Sequence, residues 1–161
     1  VFQTKAKNFV YGQIAGNLVD GEGNPGGTLK ERIFSQAAAT IRGAEAEISY
    51  NAHGNGMSLR AFADTSRGSL DNAGSLPLQP ASRFGADIGY KTGAWRSGAS
   101  VIRAESQNRL ASFETTDTPA YTLLDANLSY TWKVGNSDVT GFANIKNLLN
   151  QDIRLSTSIL K

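Results

Sequence analysis

The chain has 161 residues and a formal net charge of +2, from 16 Lys and Arg against 14 Asp and Glu, which is long enough for one domain with its own core. So even a balance, with no basic block interleaved with aromatics, excludes nucleic acid as the expected partner. Cysteine is absent, ruling out a disulfide framework, cysteine-ligated zinc and thiol catalysis, and no run approaches the roughly 18 consecutive apolar residues of a membrane-crossing helix.

Read from Val1, whose first residues lack a signal-peptide pattern, most of the chain alternates apolar and polar side chains with the two-residue period of a strand. The alternation predicts about seven antiparallel strands, near residues 3–15, 31–50, 57–67, 83–91, 95–107, 121–133 and 138–148. The first is followed by the polar stretch "GNLVDGEGNPGGTLK", residues 16–30, with "GNPGG" at its tip. The second has a helical rival in "SQAAATIRGAEAEISY", because Ala and Glu favour helices. Gly43 costs that helix about 1 kcal/mol, and Ala44, Ala46, Ile48 and Tyr50 alternate cleanly with Gly43, Glu45, Glu47 and Ser49. A strand is therefore expected.

Three short turns are expected, at residues 51–56, 91–94 and 133–136, with Tyr50, Tyr90, Trp95, Tyr130 and Trp132 beside them. Long polar connections at 16–30, 68–82, 109–120 and 150–161 alternate with these turns. Strands of about ten residues, aromatics at one rim, and short turns opposite long loops together match a transmembrane β-barrel with lipid outside and water inside. On that reading the five aromatics anchor at the membrane interface, and Glu45, Glu47, Arg60, Asp87 and Asn127 face the lumen. A soluble β-sandwich alternates too, but requires neither the short–long order nor aromatics at one end. Seven strands is an odd number for a single-chain bacterial barrel, and open edges in hydrocarbon leave backbone groups costing several kcal/mol each. The expected architecture is an all-β, antiparallel barrel segment, part of a larger barrel.

At these residues the sequence resembles the C-terminal barrel portion of a TonB-dependent outer-membrane receptor, over essentially all of residues 1–161. The resemblance is carried by "VFQTKAKNFVY", by Gly43 and Glu45 of "IRGAEAEISY", and by "YTLLDANLSYTW" followed by "VTGFANIKNLLNQ" with Asn147-Leu148. A narrower similarity, to the zinc-uptake (ZnuD-type) branch, rests on "DTSRGSLDNAGSLPLQPASRFG", "FETTDTPAYTLL" and "TSILK". Ser156 stands where members of that branch often carry a histidine. The resemblance implies a barrel of about 22 strands in the bacterial outer membrane, with a plug domain and a final strand outside these residues. It also implies energised import of a scarce small ligand or metal, zinc by the narrower similarity, through contact of the plug with the TonB complex.

Candidate ligand residues on or near the outer loops are Asp64, Asp71, Glu105, Glu114 and Asp117, with Asp20 and Glu22 beside them. Carboxylates there would attract a cation, though each would equally keep a loop soluble. His53, the only histidine, falls in an expected inner-rim turn among Asn51, Gly54 and Asn55, without the neighbours a zinc site needs. No cofactor and no enzymatic activity are expected: no histidine is placed with a nucleophile, and no glycine-rich phosphate loop follows a strand into a helix. A passive porin and a soluble β-sandwich binding module are the alternatives.

Overall fold

The structure, a computed structural model, describes residues 1–71 and 74–158. It is all-β. The strands are β1 (Phe2–Val19), β2 (Leu29–Tyr50), β3 (Gly56–Leu70), β4 (Gly74–Ser75), β5 (Arg83–Thr92), β6 (Trp95–Ala104), β7 (Tyr121–Val134) and β8 (Ser137–Ile145). They form one antiparallel sheet in the order β1-β2-β3-β5-β6-β7-β8, with the short β4 paired to the end of β3.

Seven long strands match the expected number, and the helical rival over 35–50 is a strand. The boundaries differ at four places, one of them β3, which runs on to Leu70 rather than ending near 67. β1 runs on to Val19 and β2 begins at Leu29, so polar residues that read as loop are paired strand. An irregularity between Ile14 and Leu18 absorbs Gly16, at φ 85°, and Asn17 donates to Glu31 across the hairpin at 2.7 Å. β6 stops at Ala104, one residue short of the Glu105 amide, which still bonds to the Ser82 carbonyl at 2.9 Å in the β5 register. β8 stops at Ile145, where Asn147 takes φ 52° and its amide donates to Asp125 Oδ1 at 2.8 Å.

The short turns are tighter than expected. Gly93-Ala94 and Gly135-Asn136 close their hairpins, with glycine at the first central position at φ 52° and 62°, a conformation that suits two-residue loops. Residues 51–55 make the third turn, with His53 within it. The Asn51 side-chain amide braces it, donating to the Asn55 and Met57 carbonyls at 2.9 Å.

Strand register sorts the side chains into two faces. Tyr50, Leu59, Ile88, Ala99, Ala126 and Ile145 form one row across the sheet, and Ile48, Ala61, Ala86, Val101 and Leu124 form the next. Protein does not cover this face: Ile48 is 73% exposed and Ile88 49%. From Trp132 to Leu124 the apolar run on β7 spans about 26 Å of strand at ~3.3 Å per residue, or roughly 20 Å along the normal at a tilt of about 40°. That covers most of the height of a barrel's apolar belt, about 25 Å. The opposite face carries the rows Ser49-Arg60-Asp87-Ser100-Asp125 and Glu45-Asp64-Arg83. On that face the Phe62 ring packs over Gly85, its cross-strand partner, where a Cβ would come within 2.8 Å of ring carbons. The Phe2 ring lies over Gly43 in the same way, a local reason for glycine in the Gly43–Glu45 pair.

The small buried core of Ala39, Leu70 and Leu76, with Phe9, Tyr11, Ala37 and Ile41 packed on it, lies on the polar face toward the long-loop end. The connection after β3 folds inward there and sets Leu76 against Gly68.

Candidate functional site

The site is the polar face of the sheet together with the long loops folded over its outer end. On the wall, Arg60 of β3 bridges Glu47 of β2 and Asp87 of β5 at 2.8 Å each, with its guanidinium 4.6 Å from the Phe62 ring centre. Two rows further toward the loops, Arg83 of β5 pairs with Asp64 of β3, Nη2 to Oδ2 at 3.0 Å and Nε to Oδ1 at 3.2 Å. Cross-strand register places these partners opposite one another. The pairs border a recess of ≈ 570 Å³ that Glu45 also lines. Their side chains are substantially exposed, Arg60 at 43%, so the pairs add little to stability. Their effect is to fix charge along the wall.

The cap is built from residues 74–82 and 105–120. Two buried amides that the sequence reading did not single out hold it. Gln79 accepts from the Gly68 amide at 2.7 Å and donates to the Leu76 carbonyl at 3.0 Å. Gln107 donates to the Gln79 carbonyl at 3.1 Å, accepts from the Arg109 amide at 3.2 Å, and its backbone pairs both ways with Thr118. Burying an amide demands such partners. The available sequence signal was the setting of Gln79 between prolines in "PLQP".

Each expected residue has a definite place. Asp64 lies within β3 on the polar face, inside the strand expected over 57–67; the strand continues past 67 to Leu70 because β2 and β4 pair with it there. Asp71 follows β3, its amide bound to the Ala38 carbonyl at 2.8 Å. Glu105 follows β6, 3.8 Å from Arg103 Nε. Glu114 is part of the cap: its carboxylate accepts the Ala111 amide at 3.0 Å and the Leu78 amide at 3.3 Å. Asp117 is exposed in the same loop. In the first loop, Asp20 accepts amides from Asn24 and Glu22 at 2.8 and 2.9 Å; the Asn24 amide, then the Asn24 side chain, hold its carboxyl below the ordinary value. Glu45, Glu47, Arg60, Asp87 and Asn127 share the polar face, while Tyr50, Tyr90, Trp95, Tyr130 and Trp132 share the apolar face near the short turns. Trp95 and Tyr130 touch, ring centres 4.6 Å apart. Ser156 is buried, and the "TSILK" similarity runs into residues 159–161, outside the described residues. Among the described residues no three His, Asp or Glu side chains converge as a metal-ligating group.

A sheet apolar on one side and charged on the other, with interfacial aromatics at one rim and packed loops at the other, is a segment of the wall of a transmembrane β-barrel. Residues 1–148 match the family described as "TonB dependent receptor-like, beta-barrel". The chain belongs to that family, whose members are receptors of the bacterial outer membrane rather than enzymes. Among solved structures it is similar to one titled "Copper transporter OprC", with 18% identity and a TM-score of 0.76 over 96% of this chain. It spans 23% of that protein's length, as a segment of a larger barrel would. A search of curated protein sequences found no match.

Proposed function

We propose that the chain is part of the wall of a TonB-dependent importer that carries a scarce metal or metal chelate across the outer membrane, with zinc the ligand suggested by the similarity to the zinc-uptake branch. The carrying observation is the family match over residues 1–148, on a sheet whose inner face presents ordered charge. Around the recess on that face, carboxylates of Glu45, Glu47, Asp64 and Asp87 outnumber the guanidiniums of Arg60 and Arg83, a balance that favours a cation. The exposed outer-loop donors Asp71, Glu105 and Asp117 are carboxylates, which suit zinc better than cuprous copper. Met57, the only methionine, and His53 lie at the short-turn end. Copper is the ligand named for the structural neighbour, and it makes the natural comparison.

A plug domain that contacts the TonB complex, and a strand closing the barrel, belong to this reading as segments outside the chain. Intact mass and terminal sequencing of the protein from native outer membranes test them: a mass several-fold above 17.1 kDa is expected. A mature protein of that mass would remove the import reading.

The direct test is accumulation of radioactive zinc by cells carrying the full-length protein, with and without TonB, with copper and a ferric chelate as competitors. Zinc accumulation that requires both the protein and TonB is expected. Equal accumulation without TonB would point to a passive porin, and competition by copper or the chelate alone would replace zinc as the ligand.

A further inference from the structure

The apolar face ends toward the loops in a feature that import does not require. Directly above the row Ala44-Thr65 stands a row of two arginines, Arg42 on β2 opposite Arg67 on β3. Like charges set directly opposite one another destabilise a sheet. Arg109 comes from the 105–120 loop to line the same recess, of ≈ 910 Å³, together with Gln3, Thr40 and Ser69. Its Nε is buried without a hydrogen-bond partner; burial, then the Arg67 charge, push this guanidinium below its ordinary value. Lys5 extends the charge one row further, opposite Thr40 on the same face. Among the described residues, none of these cations makes an ion pair. Three guanidiniums gathered with an unpartnered buried donor form a site whose charge and hydrogen-bonding capacity suit an anion.

The position of this cluster identifies the anion. Tyr50, at the short-turn rim, and Arg42 lie on the same face of β2, eight residues apart. That distance is about 26 Å of strand, or roughly 20 Å along the normal at a tilt of about 40°, so the arginines stand near the outer end of the hydrocarbon belt, within side-chain reach of the outer headgroups. Below them runs a trough of small side chains, Ala44 and Thr65, then Ala46 and Ala63, then Ala61 and Ala86, edged by the larger Phe84 and Ile48 in the last two rows. The trough opens into a recess of ≈ 620 Å³ bounded by Ile48, Tyr50, Leu59, Val101 and Leu124. Basic forks above an apolar trough match a molecule with phosphate at its head and acyl chains below. Guanidinium forks suit phosphate because they can bind two of its oxygens at once.

We propose that this part of the outer wall is a binding site for one phosphate-bearing lipid of the outer leaflet, with Arg42, Arg67 and Arg109 on the phosphate and the alanine trough under the acyl chains.

The test is native mass spectrometry of the full-length protein, extracted from its own membrane in mild detergent. A retained lipid of the mass of a phosphorylated glycolipid is expected, reduced about tenfold or more in the double variant Arg42→Gln/Arg67→Gln, since hydrogen bonds between charged groups are being removed. Lys133→Gln, at the opposite rim, should retain lipid normally. Heat-modifiable gel migration confirms that each variant assembles. On the unaltered protein, the same lipid stripped of phosphate should fail to rebind, and millimolar inorganic phosphate should not displace the intact lipid. Equal retention by the double variant, equal loss in Lys133→Gln, or rebinding of the phosphate-free lipid would overturn the proposal. Displacement by inorganic phosphate would overturn it too, by showing a site for a free anion.

Discussion

Arg83 on β5 grips the Asp64 carboxylate on β3 with two hydrogen bonds, at 3.0 and 3.2 Å, directly across the strand pair. The pair stands on the charged face at the level where the wall meets the loops. Asp64→Ala leaves an unmatched guanidinium there, while removing an interaction worth at most about 1 kcal/mol because the pair is partly exposed. Heat-modifiable assembly should be unchanged and metal uptake by whole cells should fall. Normal uptake would remove Asp64 from the ligand path.

Glu114 ties the two halves of the cap together through the Ala111 and Leu78 amides. Glu114→Ala orphans both donors, a local cost of about 1–3 kcal/mol, and should leave the sheet intact. Amide exchange at residues 76–80 and 109–113 should accelerate, with exchange in β5 and β6 unaltered. Uptake should change with it, because the cap covers the inner face.

Acidification should loosen the first loop. Asp20 is held ionised by hydrogen bonds, from Asn24 above all, that only the folded loop supplies, so its folded value lies below its unfolded one. The resulting stabilisation is complete above the ordinary carboxylate range and disappears as pH falls through the depressed value. Exchange of the Asn24 amide should accelerate across that acidic window. Asp20→Asn should remove the pH dependence.

The Trp95–Tyr130 contact belongs to the rim aromatics. Trp95→Ala should lower thermal stability in lipid by about 0.5–1.5 kcal/mol beyond the lost area, measured by the shift in heat-modifiable migration. In the unaltered protein, lipid brominated near the headgroup should quench tryptophan fluorescence more than aqueous iodide does. The reverse order would place this rim in water.

Much of the wall was legible in the sequence because a strand's side chains alternate without regard to anything distant. Leu124, Ala126, Leu128, Tyr130 and Trp132 had to share a face, and the turns at Gly93 and Gly135 were announced by glycine between strands. The same rule made Asp87 and Asn127 polar-face residues before any register was known. Reading polarity as loop failed at Asn17 and at Ser69, since a strand that rises above hydrocarbon is free to be polar on both faces.

The tertiary structure alone decided what depends on partners far apart in sequence. Periodicity puts Arg60 on a face, but only the pairing of β3 with β2 and β5 brings Glu47 and Asp87 to its guanidinium. Apart from the prolines on either side of Gln79, nothing local marks Gln79 and Gln107 as buried, because their burial comes from loops folding onto one another. The same holds for Arg42 and Arg67, which are ordinary surface residues in one dimension and face each other only through the register of two strands. Alternation fixes the side on which a residue stands; long-range pairing and loop closure choose its neighbours.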